Sequence, residues 1–368
     1  MIQQSEELPA LENILNLAPD EAIARLLIFM QQLDEPAYRA EQVFARLWAR
    51  PVNSFDDITE LPRALRVALS RQFSMPRLAL ATRQLSADGT EKFLFLLHDG
   101  QAIETVAIPD NGRLTLCISS QAGCALRCAF CATGAMGFQR QLSPSEIAGQ
   151  VRELRMLQPA LEATNIVFMG MGEPLMNWRA VNPTLTLLND SRALGIGARH
   201  ITISTVGILP GIVALSERKE QFRLALSIHA PTEELRQTLM PVNTKYSLAE
   251  VIEAARAFDR RVTFEYVMLN GVNDRPEHAV QLAALAKDCR AFVNLIPLHP
   301  GGSLGFTPTP SGTIASFARA LRARGVETAV RKSRGLDIAA ACGQLRTERL
   351  GRRLPVTANQ DSDVNVAR

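Results

Sequence analysis

Three cysteines, Cys124, Cys128 and Cys131, lie within eight consecutive positions of the 368-residue chain. Thiolates this close together can bind one inorganic centre. A closed structural zinc site needs four ligands, and the nearest further candidate, Cys117, belongs to a predicted strand. Three cysteines on a four-iron cluster leave one iron with an open position, whereas electron-carrying ferredoxins use four cysteines. The spacing therefore favours a cluster that binds a further ligand, with structural zinc as the alternative.

The elements that must position these thiols alternate between short β-rich runs and helical stretches. Such alternation predicts parallel βαβ units and an α/β fold. Six strand-like runs follow one another, at residues 114–119, 165–169, 200–205, 223–229, 261–268 and 292–296. Six repeats rather than eight predict a partial (βα)6 TIM-like barrel, open on one side. The run 326–330 is a candidate seventh strand.

Polar and glycine-rich turns follow the second to sixth of these strands, with the sequences Met-Gly-Glu-Pro, Val-Gly, His-Ala-Pro, Asn-Gly and Pro-Leu-His-Pro. Barrel enzymes place their sites at the carboxyl ends of the strands. We therefore expect the functional site on this face, beside the three cysteines.

The segments outside the barrel have different patterns. Residues 1–85 show apolar spacing typical of helices, interrupted by prolines, and predict an N-terminal helical accessory domain, whose excess of positive charge makes it a candidate RNA-docking domain. Residues 86–112 predict a β-hairpin extension, because an Asp-Gly dipeptide separates two apolar runs. The barrel core is predicted at 113–345, and a basic, frayed tail at 346–368.

Positive charge is concentrated in two regions of a chain whose net charge is only +3. Between Arg39 and Arg83 there are eight arginines and four acidic residues, and between Arg319 and Arg353 ten arginines or lysines and three acidic residues. Concentrated positive charge suits a phosphate backbone. For the first region, a solvated helical face is an equally good interpretation.

Composition excludes several classes of protein. Hydrophobic residues make up 47% of the chain and charged residues 21%, which excludes wholesale disorder. The longest stretch without charged residues, 291–318, contains four prolines and four glycines, which argues against a membrane helix. The N-terminus is acidic and no long apolar run follows it, so no secretory signal is predicted. We expect a cytoplasmic protein with no membrane partner.

The cysteine spacing, on a loop after the first barrel strand, resembles that of the radical S-adenosylmethionine enzymes. In those enzymes three cysteines hold a [4Fe-4S] cluster, and the remaining iron chelates the amino and carboxylate groups of S-adenosylmethionine. The Gly-Met-Gly-Glu-Pro turn at residues 170–174 is similar to the turn by which they hold the methionine ammonium. The resemblance implies both cofactors, with Cys124, Cys128 and Cys131 as the metal ligands.

Longer motifs narrow the resemblance to the bacterial adenine-C2 RNA methyltransferases of the RlmN type. Four segments carry it: Tyr-Arg-Ala-Glu-Gln-Val-Phe (38–44), Cys-Ile-Ser-Ser-Gln-Ala-Gly-Cys (117–124), Gly-Phe-Gln-Arg (137–140) and Gly-Leu-Asp-Ile-Ala-Ala-Ala-Cys-Gly-Gln-Leu (335–345). The chain departs from the family at Gln139 and Gln141, where asparagine is frequent, and segment 300–310 varies within the family. None of these positions is assigned to chemistry.

The resemblance implies a reaction that uses two molecules of S-adenosylmethionine per turnover. One methylates Cys342, and a second yields a deoxyadenosyl radical that takes hydrogen from the methylthioether, so that the carbon radical adds to adenine. Cys117 is implied as the thiol that resolves the protein–RNA link through a transient disulfide, and Glu104 as the proton acceptor. From the residues alone, Cys342 resembles a buried small side chain and Glu104 an exposed strand glutamate. Cys289, which has no such motif, is expected to be structural.

The resemblance also implies the residues that bind the organic cofactor. They fall at strand ends and are Gly172, Glu173, Ser204, Ser227, Ile228, His229 and Asn294. A histidine at a strand end is as often a structural hydrogen-bonding group as a ligand-binding one. We assign His229 to cofactor binding because it lies among the other strand-end residues of this set.

The implied substrates are 23S rRNA, at an adenine of the peptidyl transferase centre, and the adenine 3′ of the anticodon in tRNA. An adenine must leave its stack to reach such a site. The implied electron donor is a flavodoxin-type reductase system. Two alternatives stay open: the sister family that methylates carbon 8 of the same ribosomal adenine, and a non-enzymatic RNA-binding protein stabilised by a metal.

Overall fold

The computed structural model describes residues 11–299, 305–341 and 343–345. The chain divides into two compact units. The first unit contains the residues up to Arg77 together with Ser143–Leu161 and Asn182–Gly195. The second contains Leu78–Leu142, Glu162–Val181 and the residues from Ile196 onward.

The helices of the described chain are α1 Pro19–Gln32, α2 Tyr38–Leu47, α3 Arg63–Gln72, α4 Ala132–Met136, α5 Pro144–Arg155, α6 Trp178–Asn189, α7 Leu209–Ser216, α8 Glu233–Leu239, α9 Leu248–Ala257, α10 Pro276–Asp288 and α11 Ser311–Ala323. Short 3-10 turns occur at Ile14–Asn16, Phe55–Asp57, Pro174–Asn177, Ala198–His200 and Pro241–Thr244. The strands are β1 Glu12–Asn13, β2 Phe73–Ser74, β3 Ala79–Leu85, β4 Glu91–Leu96, β5 Ala102–Asp110, β6 Arg113–Cys117, β7 Gln121–Gly123, β8 Phe138–Gln141, β9 Asn165–Phe168, β10 Ile201–Thr205, β11 Arg223–Ser227, β12 Val262–Met268, β13 Phe292–Pro297 and β14 Thr328–Val330.

The second unit is built on a ten-stranded sheet with the order β14-β13-β12-β11-β10-β9-β6-β5-β4-β3. In this sheet each neighbouring pair along the order β6, β9, β10, β11, β12, β13 and β14 is parallel. Parallel pairing requires a connection that crosses back over the sheet, and each connection between these strands is long enough to do so. The six predicted barrel strands are thus confirmed, with ends that differ by one or two residues, and the candidate seventh strand is β14.

Three antiparallel strands, β3, β4 and β5, extend this sheet beyond β6. The predicted hairpin is confirmed as β4 and β5, which pair from Glu91 opposite Ala107 to Leu96 opposite Ala102. The helical interpretation of residues 1–85 is wrong for Ala79–Leu85, which form β3. This edge strand is largely exposed, so its sequence lacks the alternation of apolar and polar residues that identifies a half-buried strand.

The first unit contains α1, α2, α3 and α5, and its core includes the fully buried Leu26, Phe44 and Trp48. Arg152 of α5 is also completely buried. Its guanidinium donates to the carbonyl oxygens of Leu47, at 2.7 Å, and Val52. Burial lowers the pKa of Arg152 to about 10. This arginine therefore ties α5 to the chain that follows α2.

Replacement of Arg152 with Met should lower the free energy of unfolding by about 3 kcal/mol, because the carbonyl groups of Leu47 and Val52 and the carboxylate of Glu153 lose a buried donor. Urea denaturation measures the change. The matched control is Arg192→Met, which removes a partly exposed guanidinium paired with Asp20 and Asp190 and should cost at most about 1 kcal/mol. Equal losses for the two variants would contradict a structural role for Arg152.

Candidate active site

A cavity of about 910 Å³, including its open mouth, lies at the carboxyl ends of the parallel strands. The loop after β7 and the ends of β9 to β13 supply most of its wall. Its lining includes Cys124, Cys128, Cys131, Gly172, Glu173, Ser204, Ser227, His229, Glu265, Arg331 and Gly343. The structure thus brings the three clustered cysteines together with five of the seven residues predicted to bind the organic cofactor.

The cysteine loop is held by a short antiparallel pair, β7 with β8. Gly123, which precedes the first cysteine, has φ +74°, and a Cβ there would lie 2.0 Å from the carbonyl oxygen of Gly137. The Cys124 N–H donates to that same oxygen at 3.0 Å. Only glycine fits at position 123, and the close approach fixes where the loop begins.

Two thiols of this loop, Cys124 and Cys128, have raised pKa values because they are buried. Burial raises the pKa of Cys124 to about 12. The pKa of Cys128 is raised further, by burial and then by the charges of Cys131 and Cys124. Three adjacent thiolates become stable here only beside a positive centre, because each opposes the ionisation of the others.

This donor set fits an iron–sulfur cluster. In the described part of the chain, no three His, Cys, Asp or Glu side chains are arranged to hold a single metal ion. A four-iron cluster differs from a single ion, because each of its cysteine thiolates binds a separate iron. Cys124, Cys128 and Cys131 are the residues that would hold it.

The turn after β9 is closely packed and hydrogen-bonded. Gly172 has φ +99°, and a Cβ there would lie 2.5 Å from the Cβ of Gln121. The carboxylate of Glu173 accepts hydrogen bonds from the N–H of Leu175 at 3.0 Å and of Val206 at 2.9 Å. Burial raises the pKa of Glu173 to about 7, partly offset by these hydrogen bonds. The side chain therefore fixes the backbone of the turn that lines the cavity.

His229 presents a neutral imidazole to the cavity. Its Nδ1 accepts a hydrogen bond from the N–H of Val267 at 3.0 Å, so the proton of the neutral ring lies on Nε2. Burial and the nearby Arg236 lower the pKa of His229 to about 3. Its backbone has φ +55°, and its ring packs edge-on against Phe130. This histidine is both structurally bonded and available as a donor through Nε2.

Ile228 and Asn294 are not among the residues that line the cavity. Ile228 is completely buried, and its N–H donates to the carbonyl oxygen of Glu265 at 3.1 Å. The amide of Asn294 donates to Oε1 of Glu265 at 2.9 Å. Both predicted residues therefore contact Glu265, which the sequence analysis missed. A lone acid inside the otherwise apolar strand β12 was the available signal.

Glu104 is buried, so its interpretation as an exposed strand glutamate is wrong: it is 4% exposed. Lys92 on β4 lies 3.0 Å from its Oε1 and also donates to the carbonyl oxygen of Ala339 at 3.4 Å. Cys117, at the end of β6, is buried opposite Val106 of β5. Neither Glu104 nor Cys117 lines the cavity.

Cys342 lies outside the described residues, but the chain on both sides of it is anchored. Upstream, Gly335 donates to Asp88 at 3.0 Å. Asp337 accepts hydrogen bonds from the hydroxyl of Ser86 at 2.5 Å and the N–H of Ala87 at 3.1 Å. Downstream, the carbonyl oxygen of Gly343 accepts a hydrogen bond from Ala132 at 2.8 Å, and Gly343 lines the cavity.

Cys289 lies apart from this site. Its thiol donates to the carbonyl oxygen of Ile252 at 3.5 Å, and burial raises its pKa to about 11.

Among the described residues, no helix combines the length and the hydropathy that a membrane span requires.

Comparison with known proteins agrees with this geometry. Residues 118–283 match the Radical SAM superfamily, and residues 13–75 match the ribosomal RNA large subunit methyltransferase N-terminal domain. The crystal structure of a radical SAM methyltransferase from Sphaerobacter thermophilus superposes with a TM-score of 0.85 at 40% identity, over 92% of this chain and the whole of that one. The fold is that of a radical S-adenosylmethionine enzyme.

Two relatives narrow the class. The probable dual-specificity RNA methyltransferase RlmN of Gemmatimonas aurantiaca is 75% identical over 357 residues, covering 97% of this chain and 99% of the relative. The dual-specificity RNA methyltransferase RlmN of Anaeromyxobacter dehalogenans is 44% identical, covering 90% and 91%. The chain belongs to the RlmN family of dual-specificity RNA methyltransferases.

Proposed function

We propose that this enzyme methylates carbon 2 of an adenine in RNA by way of a methylated cysteine. The observation that carries the proposal is the cavity that three clustered thiols share with the strand-end residues Gly172, Glu173 and His229. Carbon 2 of adenine lies between two ring nitrogens and is electron-poor, so it does not attack a methyl cation equivalent. When bound, the [4Fe-4S] cluster and S-adenosylmethionine supply the methyl group and the one-electron chemistry by which an electron-poor carbon can be methylated.

The residues of the chain itself have three proposed roles. Cys342 accepts the methyl group and delivers it to the adenine ring. Glu104 takes the proton that leaves carbon 2. The Cys117 thiolate then attacks the Cys342 sulfur, so that a disulfide forms while the sulfur–carbon bond breaks, and the carbon leaves with the electron pair and gains a proton to become the methyl group. The contacts of Lys92 support this assignment, because its ammonium joins the Glu104 carboxylate to Ala339, three positions before the methyl carrier.

Cofactor binding is assigned to the strand ends, with cluster ligation by the three clustered cysteines. The space beside the thiols is lined by Gly172, Glu173, Ser204, Ser227 and His229. Ile228 and Asn294 act through their contacts with Glu265, which lines the same cavity. These groups would orient the bound cofactor and exclude water from it.

RNA docking is assigned to the N-terminal domain, residues 1–85, and to the basic C-terminal region. Several arginines of the first region are occupied within the protein: Arg39 and Arg46 pair with Glu35 and Glu60. Arg50, Arg63 and Arg71 are exposed. These three support the proposal best, since phosphate contacts need accessible guanidinium groups.

The proposed substrates are 23S rRNA and tRNA, and the proposed electron donor is a flavodoxin-type reductase system in the cytoplasm. In a deletion strain, mass spectrometry of digested 23S rRNA and tRNA should show the loss of one methyladenosine from each RNA. A plasmid copy of the wild-type gene should restore both, and a Cys342→Ala copy should restore neither. Unchanged methyladenosine in both RNAs would contradict the proposal, and loss from rRNA alone would remove tRNA from it.

A further inference from the structure

Three neighbouring strands, β4, β5 and β6, carry the side chains of Lys92, Glu104 and Cys117 on one face of the sheet. Lys92 on β4 is paired with Val106 on β5, and Val106 is paired in turn with Cys117 on β6. Residues directly opposite each other in paired strands point to the same face. Glu104 lies two positions before Val106 on β5, so its side chain also projects from that face. The strand register therefore brings the proposed proton acceptor and the proposed resolving thiol together with a lysine.

Lys92 and Glu104 form a buried ion pair. The ammonium of Lys92 lies 3.0 Å from Oε1 of Glu104, and the two side chains are 11% and 5% exposed. Ion pairs at a protein surface contribute little, because water and salt screen them. A pair removed from water is screened much less, so the attraction between the two groups fixes where the carboxylate lies.

The same ammonium contacts the segment that leads to Cys342. It donates to the carbonyl oxygen of Ala339, three positions before Cys342, at 3.4 Å. Further hydrogen bonds join residues 335–337 to the turn between β3 and β4. Lys92 therefore contacts both the proposed proton acceptor and the chain that carries the proposed methyl carrier.

The backbone of Glu104 is tied to the turn that lines the cavity. The hydroxyl of the fully buried Ser119 donates to the carbonyl oxygen of Glu104 at 2.6 Å. The same hydroxyl oxygen accepts a hydrogen bond from the N–H of Met171 at 2.9 Å. Met171 immediately precedes Gly172, which lines the cavity. Ser119 thus holds the main chain of Glu104, while Lys92 holds its carboxylate.

We propose that Lys92 is a positioning residue, which orients the Glu104 carboxylate toward the adenine carbon to which Cys342 is joined. The inference rests on the proposed role of Glu104 as proton acceptor. A general base must lie within hydrogen-bond reach of the proton that it removes, and a glutamate side chain loses rotamer freedom when it is held there. The fixed ammonium meets this cost before RNA binds. Lys92 exchanges no proton itself: the proton passes from carbon 2 to the carboxylate, and the electron pair of the C–H bond stays with the ring.

The test follows separate stages of one turnover in the anaerobic holoenzyme. Lys92→Met should slow the formation of 2-methyladenosine roughly tenfold to a hundredfold, the effect of losing one hydrogen bond between charged groups. Mass spectrometry of the protein should show Cys342 methylated as in the wild type. Because proton removal follows addition to the ring in the proposed reaction, denaturing electrophoresis should show a protein–RNA adduct that accumulates. Loss of Cys342 methylation, or slow product formation without adduct, would contradict a role at the proton-removal step.

A double-mutant cycle separates positioning from a merely structural role. Because Lys92 acts through Glu104, adding Lys92→Met to Glu104→Gln should slow product formation by less than about threefold further. If Lys92→Met alone does not fold, this comparison still decides, because the double variant leaves neither charge buried without its partner. A further slowing of tenfold or more in the double variant, on the scale expected for Lys92→Met alone, would overturn the proposal.

Arg260→Met is the matched control. It removes another cation, 6% exposed, that donates to the carbonyl oxygens of Glu220 at 2.7 Å and Leu215 at 3.0 Å. This variant should accumulate no adduct, and an adduct in it would show that the loss of any buried cation has this effect.

The outcomes also separate the inference from the function on which it rests. Product formation by Glu104→Gln at the wild-type rate would overturn the proposed proton acceptor itself. Slow product formation by Glu104→Gln, together with normal product formation and no adduct in Lys92→Met, would overturn only the role of Lys92.

Discussion

Cys117→Ala should stop after it has attacked RNA, leaving protein and RNA joined by a covalent bond. In the proposed reaction Cys117 acts after the carbon–carbon bond to adenine has formed, so its loss should not prevent methylation of Cys342 or addition to the ring. Without the resolving thiol the link persists. The adduct should survive denaturing electrophoresis, and nuclease digestion should leave a nucleotide-sized mass on the peptide that contains Cys342.

Cys342→Ala provides the contrast, because it lacks the methyl carrier and should give neither methylated protein nor adduct. Cys289→Ala is the matched control: it removes a half-buried thiol bonded to Ile252 and should methylate RNA as the wild type does. A nucleotide mass on Cys117 would reverse the two roles. Normal RNA methylation by Cys117→Ala, with no adduct, would exclude this thiol from the mechanism.

Replacement of Cys124, Cys128 or Cys131 by Ala should reduce reductive cleavage of S-adenosylmethionine to the rate seen without protein. Each thiolate binds its own iron, so two remaining ligands do not hold a cluster with one defined open position. The cleavage rate is measured as the deoxyadenosine formed in the presence of dithionite. The cluster content is measured as iron and acid-labile sulfide per chain.

The same Cys289→Ala variant should retain full iron, sulfide and cleavage, which shows that losing a thiol is not in itself damaging. If the triple alanine variant of the clustered cysteines produced deoxyadenosine at the normal rate, the cluster would have to be held elsewhere in the chain.

Much of the fold is predictable because its signals are local. The strands of the barrel are short apolar runs separated by helical stretches, and a parallel sheet follows from that alternation. An Asp-Gly turn between two apolar runs gives β4 and β5. The clustered thiols and the strand-end turns allow most residues of the candidate site to be predicted, because parallel strands bring their carboxyl ends to one edge of the sheet.

The features that escaped prediction depend on partners distant in the chain. β3 is an exposed edge strand, which only its pairing with β4 defines. Glu104 is buried with Lys92 beside it on the neighbouring strand, and Glu265 lines the cavity with Asn294 and Arg331 beside its carboxylate. A single glutamate in a strand does not reveal whether such a partner exists.

The position of the new methyl group on adenine tests the central claim most directly. Reconstituted enzyme, S-adenosylmethionine, a reductant and unmethylated 23S rRNA fragment are incubated without oxygen, and the digested nucleosides are compared with authentic 2-methyladenosine and 8-methyladenosine by chromatography and mass spectrometry. The account predicts 2-methyladenosine alone, formed by the wild type and absent with Cys342→Ala. Formation of 8-methyladenosine, or of 2-methyladenosine by the Cys342→Ala variant, would contradict it.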